Sequence, residues 1–84
     1  MDAEEKLEQI ITILDQLNED TSVPRNIRRG AVECKERLRK KSEALDVRTA
    51  SAIFKLEEMA NDPNIPLHGR TLIWNIISQL EQVN

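Results

Sequence analysis

Two short stretches with a shared pattern decide the fold: residues 20–29 read DTSVPRNIRR, and residues 62–71 read DPNIPLHGRT. In each, an aspartate stands four residues before a proline and eight residues before an arginine. Proline suits the start of a helix, because its missing N–H would have no partner inside the helix there. Each stretch therefore predicts a turn followed by the beginning of a new helix.

The two stretches lie 42 residues apart, and the same shift aligns apolar positions on either side of them. Ile11 falls on Ile53, and Leu38 falls on Leu80. Self-similarity at a period of this size marks a repeated supersecondary unit. We predict a single domain, residues 1–84, made of two duplicated helical hairpins, residues 1–42 and 43–84.

Four amphipathic helices are predicted from apolar residues that recur at three- and four-residue steps. The first covers about residues 3–17, the second residues 24–41, and the fourth starts at Pro66. The third is less clearly bounded, and its apolar stripe is widened by Val47, Ala52 and Phe54. Gly30 and Gly69 interrupt the second and fourth helices, either as tolerated defects or as points of close helix approach.

Two hairpins can close around one core or stack side by side. A stack of two repeats would leave apolar end faces in water, and solenoids usually need about three repeats. Closure lets all four stripes face one core. The sequence therefore predicts an all-α four-helix bundle, with a two-repeat HEAT-like stack as the alternative.

Composition limits the compartment and the class of protein. Cys34 is the single cysteine, so no internal disulfide can form, which fits a reducing compartment. The acidic start of the chain does not resemble a signal peptide, and no apolar run is long enough to span a membrane. We expect a cytoplasmic protein that does not enter membranes.

The two stretches, together with Ile73-Trp74-Asn75-Ile76, resemble a family of small archaeal proteins, uncharacterised protein family 0147. The resemblance covers nearly the whole chain and implies an all-helical bundle in an archaeal cytoplasm, with no known activity. Each half also resembles, more loosely, a HEAT-type repeat. In such a repeat the turn aspartate can pair with the arginine eight residues later. The resemblance implies that Arg28 and Arg70 anchor the turns by charge-assisted hydrogen bonds.

No set of residues has the pattern of a catalytic, cofactor or metal site. A zinc site takes three or four protein ligands, whereas His68 is the only histidine and has no cysteine near it. We interpret His68 as a surface or cap residue and Cys34 as a core residue of the second helix. No catalytic, cofactor-binding or metal-binding residue is predicted, and we expect the protein not to be an enzyme.

Charge is unevenly distributed along the chain. Residues 1–20 carry seven acids and one base, whereas residues 25–48 carry nine bases and four acids. The basic second helix can lie against the acidic first helix or a partner's acids, which we favour, or it can bind a polyanion such as RNA through phosphate contacts. In the second case the binding residues would be Arg28, Arg29, Lys35, Arg39, Lys40 and Lys41.

The fourth helix is apolar around most of its circumference, which predicts burial on more than one side. We expect a homodimer contact through Leu72, Trp74 and Ile77. The function predicted from the sequence is a helical interaction or assembly protein with an unidentified protein partner. The alternative is an RNA- or ribosome-associated accessory protein that acts through residues 24–41.

Overall fold

The structure, a computed structural model, describes residues 2–83, and its regular secondary structure in that range is entirely helical. They are α1 (Ala3–Glu19), α2 (Arg25–Leu38), α3 (Leu45–Ala60) and α4 (Leu67–Glu81). The two ends of the predicted 1–84 domain, Met1 and Asn84, lie outside the described residues. The all-α prediction is confirmed.

Helices α2 and α4 begin one residue later than predicted, because each proline is the cap residue and not the first helical residue. Helix α2 also ends at Leu38, three residues before the predicted end at residue 41. Pro24 and Pro66 have extended ψ angles of 149° and 156°. The carbonyl of Pro24 accepts from the N–H groups of Ile27 and Arg28, and the carbonyl of Pro66 accepts from the equivalent positions of α4. The prolines thus supply the first acceptor of each helix without being helical themselves.

The four helices form a closed ring. α1 packs against α2 and α4, and α3 packs against the same two helices. Within residues 2–83 the backbones of the parallel pairs, α1 with α3 and α2 with α4, are not adjacent. A HEAT-like stack would require those parallel contacts, so the four-helix bundle is the arrangement that the chain adopts.

The core of the bundle is aliphatic. The largest fully buried side chains are all leucine, isoleucine or valine: Leu7, Ile10, Ile11, Leu14, Leu17, Val23, Ile27, Leu38, Leu56, Ile73, Ile76 and Leu80. Branched aliphatic side chains pack to high density in a narrow bundle without polar atoms that would need partners. Both aromatic residues of the chain lie outside this core.

A buried arginine near the start of α3 ties together three helices at the end of the bundle where the chain begins. Arg48 is 5% exposed. Its guanidinium donates to the Leu38 carbonyl at 3.0 Å and to the Glu4 carboxylate at 2.8 Å. The hydrogen bond from Arg48 lowers the pKa of Glu4. The side chain therefore satisfies a carbonyl at the end of α2 and holds an acid at the start of α1.

Gly30 marks a close approach of α2 and α3. A Cβ atom at this position would lie 2.7 Å from Sδ of Met59, a side chain that is itself buried. At Gly69 the nearest atom would be Cγ1 of Ile65 at 3.2 Å, which is a milder conflict. The close-approach interpretation therefore holds most strongly at Gly30.

We expect Gly30→Ala to reduce the free energy of unfolding by about 1–2 kcal/mol, because the added methyl group must displace buried Met59. In a Met59→Ala background the same change should instead stabilise by about 1 kcal/mol, the ordinary helix-propensity gain. Urea denaturation of the four proteins of this cycle measures both effects. A stabilising Gly30→Ala in the native background would contradict the close-approach interpretation.

Candidate interaction surfaces

The two turns that connect the helices of each hairpin lie side by side and exchange hydrogen bonds. In the first turn, the Asp20 carboxylate accepts from the N–H and hydroxyl of Ser22. In the second, the Asp62 carboxylate accepts from the N–H of Asn64. These local bonds are Asx-type turns, which aspartate forms readily.

The second carboxylate oxygen of each aspartate contacts the opposite hairpin. Asp62 Oδ2 accepts from Asn26 Nδ2 at 2.7 Å, and Asp20 Oδ2 lies 2.9 Å from His68 Nε2. Asn26 and His68 are 42 positions apart, as are the two aspartates. Each hairpin therefore makes the same kind of contact to the turn aspartate of the other hairpin. The duplication of the chain stays a prediction.

His68 is exposed, as expected, but it has a defined role in this contact. Nε2 also lies 3.1 Å from the Ser22 hydroxyl, which already donates to Asp20. Because carboxylate oxygens only accept, we infer that Nε2 carries a proton and donates to both neighbours. This differs from a catalytic triad, in which the imidazole separates the serine from the acid.

Arg28 and Arg70 anchor the turns, as expected, but not by the pairing with aspartate that the HEAT-type resemblance allows. Arg28 Nε donates to the Val23 carbonyl at 3.1 Å, and Arg70 donates to the carbonyls of Ala60 and Asp62. Both arginines do anchor the turns, but through backbone oxygens. The carboxylates are used by the opposite hairpin instead.

Several cations of α2 and of the residues just after it are paired within the chain. Lys35 Nζ lies 2.9 Å from the Asp15 carboxylate, and Arg39 lies 3.0 Å from the Glu8 carboxylate. Lys40 pairs with Glu43 just beyond the helix. Four of the six residues predicted to bind a polyanion therefore have partners within the chain: Arg28, Lys35, Arg39 and Lys40. Lys35 and Arg39 pair with acids of α1.

Arg29 and Lys41, the other predicted polyanion contacts, are exposed and form no ion pair within residues 2–83. Arg25, which the sequence analysis did not single out for binding, shares these properties. Arg25 and Arg29 are one helical turn apart, so they lie on the same side of α2. These guanidinium groups are the part of the basic helix that faces solvent.

The three residues predicted to form a dimer contact lie in different environments. Ile77 is 4% exposed and belongs to the core, and Leu72 is partly buried and packs against that core. Trp74 is 49% exposed. The surface of α4 is thus less apolar than its sequence indicates, because two of these side chains point inward.

Three further exposed apolar side chains were missed as surface candidates: Val47, Phe54 and Leu67. Phe54 was assigned to the core stripe of α3. Its spacing from buried Ala52 could have corrected this assignment, because residues two positions apart on a helix point in directions about 200° apart. Within residues 2–83, all four exposed large apolar side chains therefore lie in the second hairpin.

The surface has open grooves lined by charged side chains. One, of about 380 Å³, is lined by Glu33, Glu36, Arg37 and Lys40. Another, between α2 and α3, has a volume of about 230 Å³, below the roughly 300 Å³ at which ligand pockets begin. Its Lys55 is held by Glu33 and Glu58, each at 3.4 Å. Among residues 2–83, no group of three or more potential ligand side chains is placed to hold a metal ion.

Cys34 lies in the core, as expected, with Sγ 3.8 Å from the Ala52 carbonyl. Burial raises the pKa of its thiol to about 12, so the reactive thiolate form is suppressed at neutral pH.

Across the described part of the chain, none of the helices combines the length and the hydropathy that a transmembrane segment needs.

Comparison with known proteins gives consistent matches over the whole chain. A family model described as "Uncharacterised protein family (UPF0147)" matches residues 1–83. A UPF0147 protein of Methanosarcina acetivorans is 51% identical over 82 residues, which cover 98% of this chain and 84% of the relative. One from Pyrococcus abyssi is 51% identical over 83 residues, covering 98% and 96%. The sequence relatives compared are archaeal proteins.

Two crystal structures have the same fold. A protein of this uncharacterised family from Thermoplasma acidophilum superposes with a TM-score of 0.91 at 42% identity and covers 98% of both chains. A second protein, described as being of unknown function, superposes with a TM-score of 0.91 at 46% identity and covers 94% of this chain and 90% of its own. The resemblance seen in the sequence and the four-helix arrangement are both confirmed.

The reciprocal turn contact predicts a specific loss of stability in acid. Hydrogen bonds from Ser22, and then from His68, lower the pKa of Asp20 from 3.8 to about 2. Because the folded state favours the carboxylate, this stabilisation is complete above the unfolded pKa of 3.8 and is lost as the pH falls toward 2. We expect Asp20→Asn to lower the melting temperature at neutral pH and to flatten its fall over this acid range.

Thermal melts at closely spaced pH values measure this effect. The matched control is Glu19→Gln, which removes an exposed neighbouring carboxylate that has no hydrogen bond within the described residues. The control should keep the acid dependence of the native protein. An Asp20→Asn protein with an unchanged acid profile would show that the turn contact contributes nothing to stability.

Proposed function

The chain belongs to the uncharacterised protein family UPF0147, and we propose that it is a non-enzymatic helical assembly protein that forms a homodimer and binds a further protein partner. The observation that carries this proposal is the location of its exposed large apolar side chains, all in the second hairpin. Aromatic side chains such as Phe54 and Trp74 are enriched at protein–protein interfaces. The lone buried thiol fits the cytoplasm as its place of action.

The charge arrangement of α1 and α2 supports the same proposal. The contacts of Lys35 with Asp15 and of Arg39 with Glu8 use the opposite charges of the two helices inside one chain. The first hairpin therefore needs no acidic partner to offset these two cations. The exposed large apolar side chains, in contrast, all lie in the second hairpin.

We expect the purified protein to have the mass of a dimer at micromolar concentration by light scattering coupled to size-exclusion chromatography. Native mass spectrometry provides an independent measurement. Because apolar contacts do not depend on charge screening, the dimer should persist in high salt. A monomer at all accessible concentrations would overturn the homodimer proposal.

A second candidate function is polyanion binding through α2 and the turn that follows it. Exposed Arg25 and Arg29 of α2 and exposed Lys41 of the turn favour it. Guanidinium and ammonium groups contact phosphates without reading sequence. Fewer cations are available for a polyanion than the sequence predicted, because Lys35 and Arg39 pair with acids of α1. The acidic balance of the chain, a formal net charge of −3, counts against it.

If α2 binds RNA, affinity should fall steeply with salt concentration, and Arg29→Glu should weaken it at least about tenfold at low salt. The matched control is Lys6→Glu, which makes the same change of charge at an exposed position of α1. Electrophoretic mobility shift with a short single-stranded RNA measures both. No binding at low salt, or equal losses in the two variants, would remove this candidate.

A further inference from the structure

The start of α2 carries positive charge where a helix ordinarily carries acids. Because the N-terminal end of a helix is the positive end of its dipole, acids are favourable there, and α1 has Glu4 and Glu5 in its first turn. The first turn of α2 has no acid and no side-chain cap. Arg25 and Arg28 lie in that turn, and Arg29 follows. Arg28 anchors the preceding turn, but no contact within the described residues accounts for Arg25 and Arg29.

These three arginines lie on one side of α2. Arg28 and Arg29 follow Arg25 by three and four residues, the spacings at which side chains are neighbours on a helix surface. We call Arg25, Arg28 and Arg29 the α2 arginine patch. Arg25 and Arg29 are exposed and form no hydrogen bond or ion pair within residues 2–83. Arg28 uses only Nε for the Val23 carbonyl, and its two Nη groups have no partner in the same range.

The acids around the α2 arginine patch do not neutralise it. Asp20 and Asp62, in the turns at this end of the bundle, are used by the contacts between the hairpins. Glu33, one turn after the patch, lies 3.4 Å from a lysine of α3. Glu19 and Glu36 flank the patch in the chain, are exposed, and form no ion pair with it. The patch is therefore a local excess of positive charge on an acidic protein.

The composition of the first hairpin indicates which polyanion fits the α2 arginine patch. Proteins that bind single strands combine cations with aromatic rings on which bases stack, and residues 1–42 contain no aromatic residue. Arginines without such rings contact the sugar–phosphate backbone, and the guanidinium fork matches phosphate geometry. A duplex presents these phosphates most densely, at about one charge per 1.7 Å of its axis. The chemistry therefore favours a double helix over a single strand.

The other cations of this region are separate from the α2 arginine patch. Lys35 and Arg39 pair with acids of α1, and Lys40 pairs with an acid just beyond α2. Lys41 follows the end of α2, which is about 13 Å from Arg29 along the helix axis. This separation exceeds the screening length of about 10 Å at 0.1 M salt. A contact with phosphates is thus confined to the start of α2.

We propose that the α2 arginine patch binds the phosphate backbone of a nucleic-acid duplex without reading its sequence. This inference rests on the second candidate of the proposed function, polyanion binding, and narrows it in two ways. The ligand is a double helix, and the contact is made by Arg25, Arg28 and Arg29. Lys41, which belongs to the wider candidate set, takes no part in it.

The test measures binding of a short fluorescent RNA duplex by anisotropy at several salt concentrations. It compares the native chain with Arg25→Gln/Arg29→Gln and with the control Lys6→Gln/Lys41→Gln, which removes the same charge at exposed positions elsewhere. Three phosphate contacts predict a slope of about −2.7 for the logarithm of affinity against that of salt. The arginine variant should reduce the slope to about −0.9 and weaken binding at least about tenfold at low salt. The control should behave as the native chain.

Thermal melting gives a second measurement, which separates binding from a structural role. Arg25→Gln/Arg29→Gln removes two cations near the positive end of the α2 dipole, so its melting temperature should equal or slightly exceed that of the native chain. Arg28 stays unchanged, because its Nε anchors the Val23 carbonyl. A lower melting temperature together with unchanged duplex binding would show that the two arginines serve the fold, and would overturn the proposal.

The outcomes separate this inference from the candidate function on which it rests. A single strand of the same length should bind more weakly than the duplex, and one that binds as tightly overturns the duplex but keeps polyanion binding. Equal losses in the arginine variant and the lysine control overturn the patch. No binding of either RNA at low salt overturns both. If the double variant loses helix content by circular dichroism, Arg29→Gln alone replaces it and should change the slope by about 1.

Discussion

The bundle depends on the burial of four aliphatic stripes in one core, and this interaction has no direction of its own. Leucine and isoleucine side chains gain nearly the same free energy in several relative positions of two helices. Directional polar contacts must therefore define how the helices are aligned. They are found at the two ends of the bundle, where the reciprocal aspartate contacts join the hairpins and Arg48 joins the first three helices.

The polar contacts divide the surface into two regions of different character. In the first hairpin, acids of α1 face bases of α2, so a strongly charged sequence becomes a largely self-neutralised surface. Such exposed pairs contribute little to stability individually, and their main effect is to occupy charges that could otherwise attract other molecules. In the second hairpin, charges are fewer and large apolar side chains take their place on the outside.

The sequence predicted the fold well because the signals for it are local. The prolines, the turn residues and the spacing of apolar side chains each act within a few positions. Contacts between distant residues were harder to predict. Nothing near His68 indicates that its partner is Asp20, 48 positions earlier, and Arg48 could be recognised as buried only once three helices were assembled.

The surface was predicted only in part, for a geometric reason. A helix with apolar residues on most of its sides does not show which side faces the core. Trp74 and Ile77 are three positions apart, yet one is half exposed and the other is buried, because the direction of the core is set by how α4 sits against α1 and α3. Phe54 was misassigned for the same reason.

The exchange of hydrogen bonds between the two turns also couples their motion. Each aspartate shapes its own turn with one oxygen and holds the opposite hairpin with the other. A fluctuation that lifts one turn away removes a partner from the other turn as well. The two connections thus share a single opening equilibrium, and this end of the bundle behaves as one cooperative unit with the fluctuations of both hairpins linked.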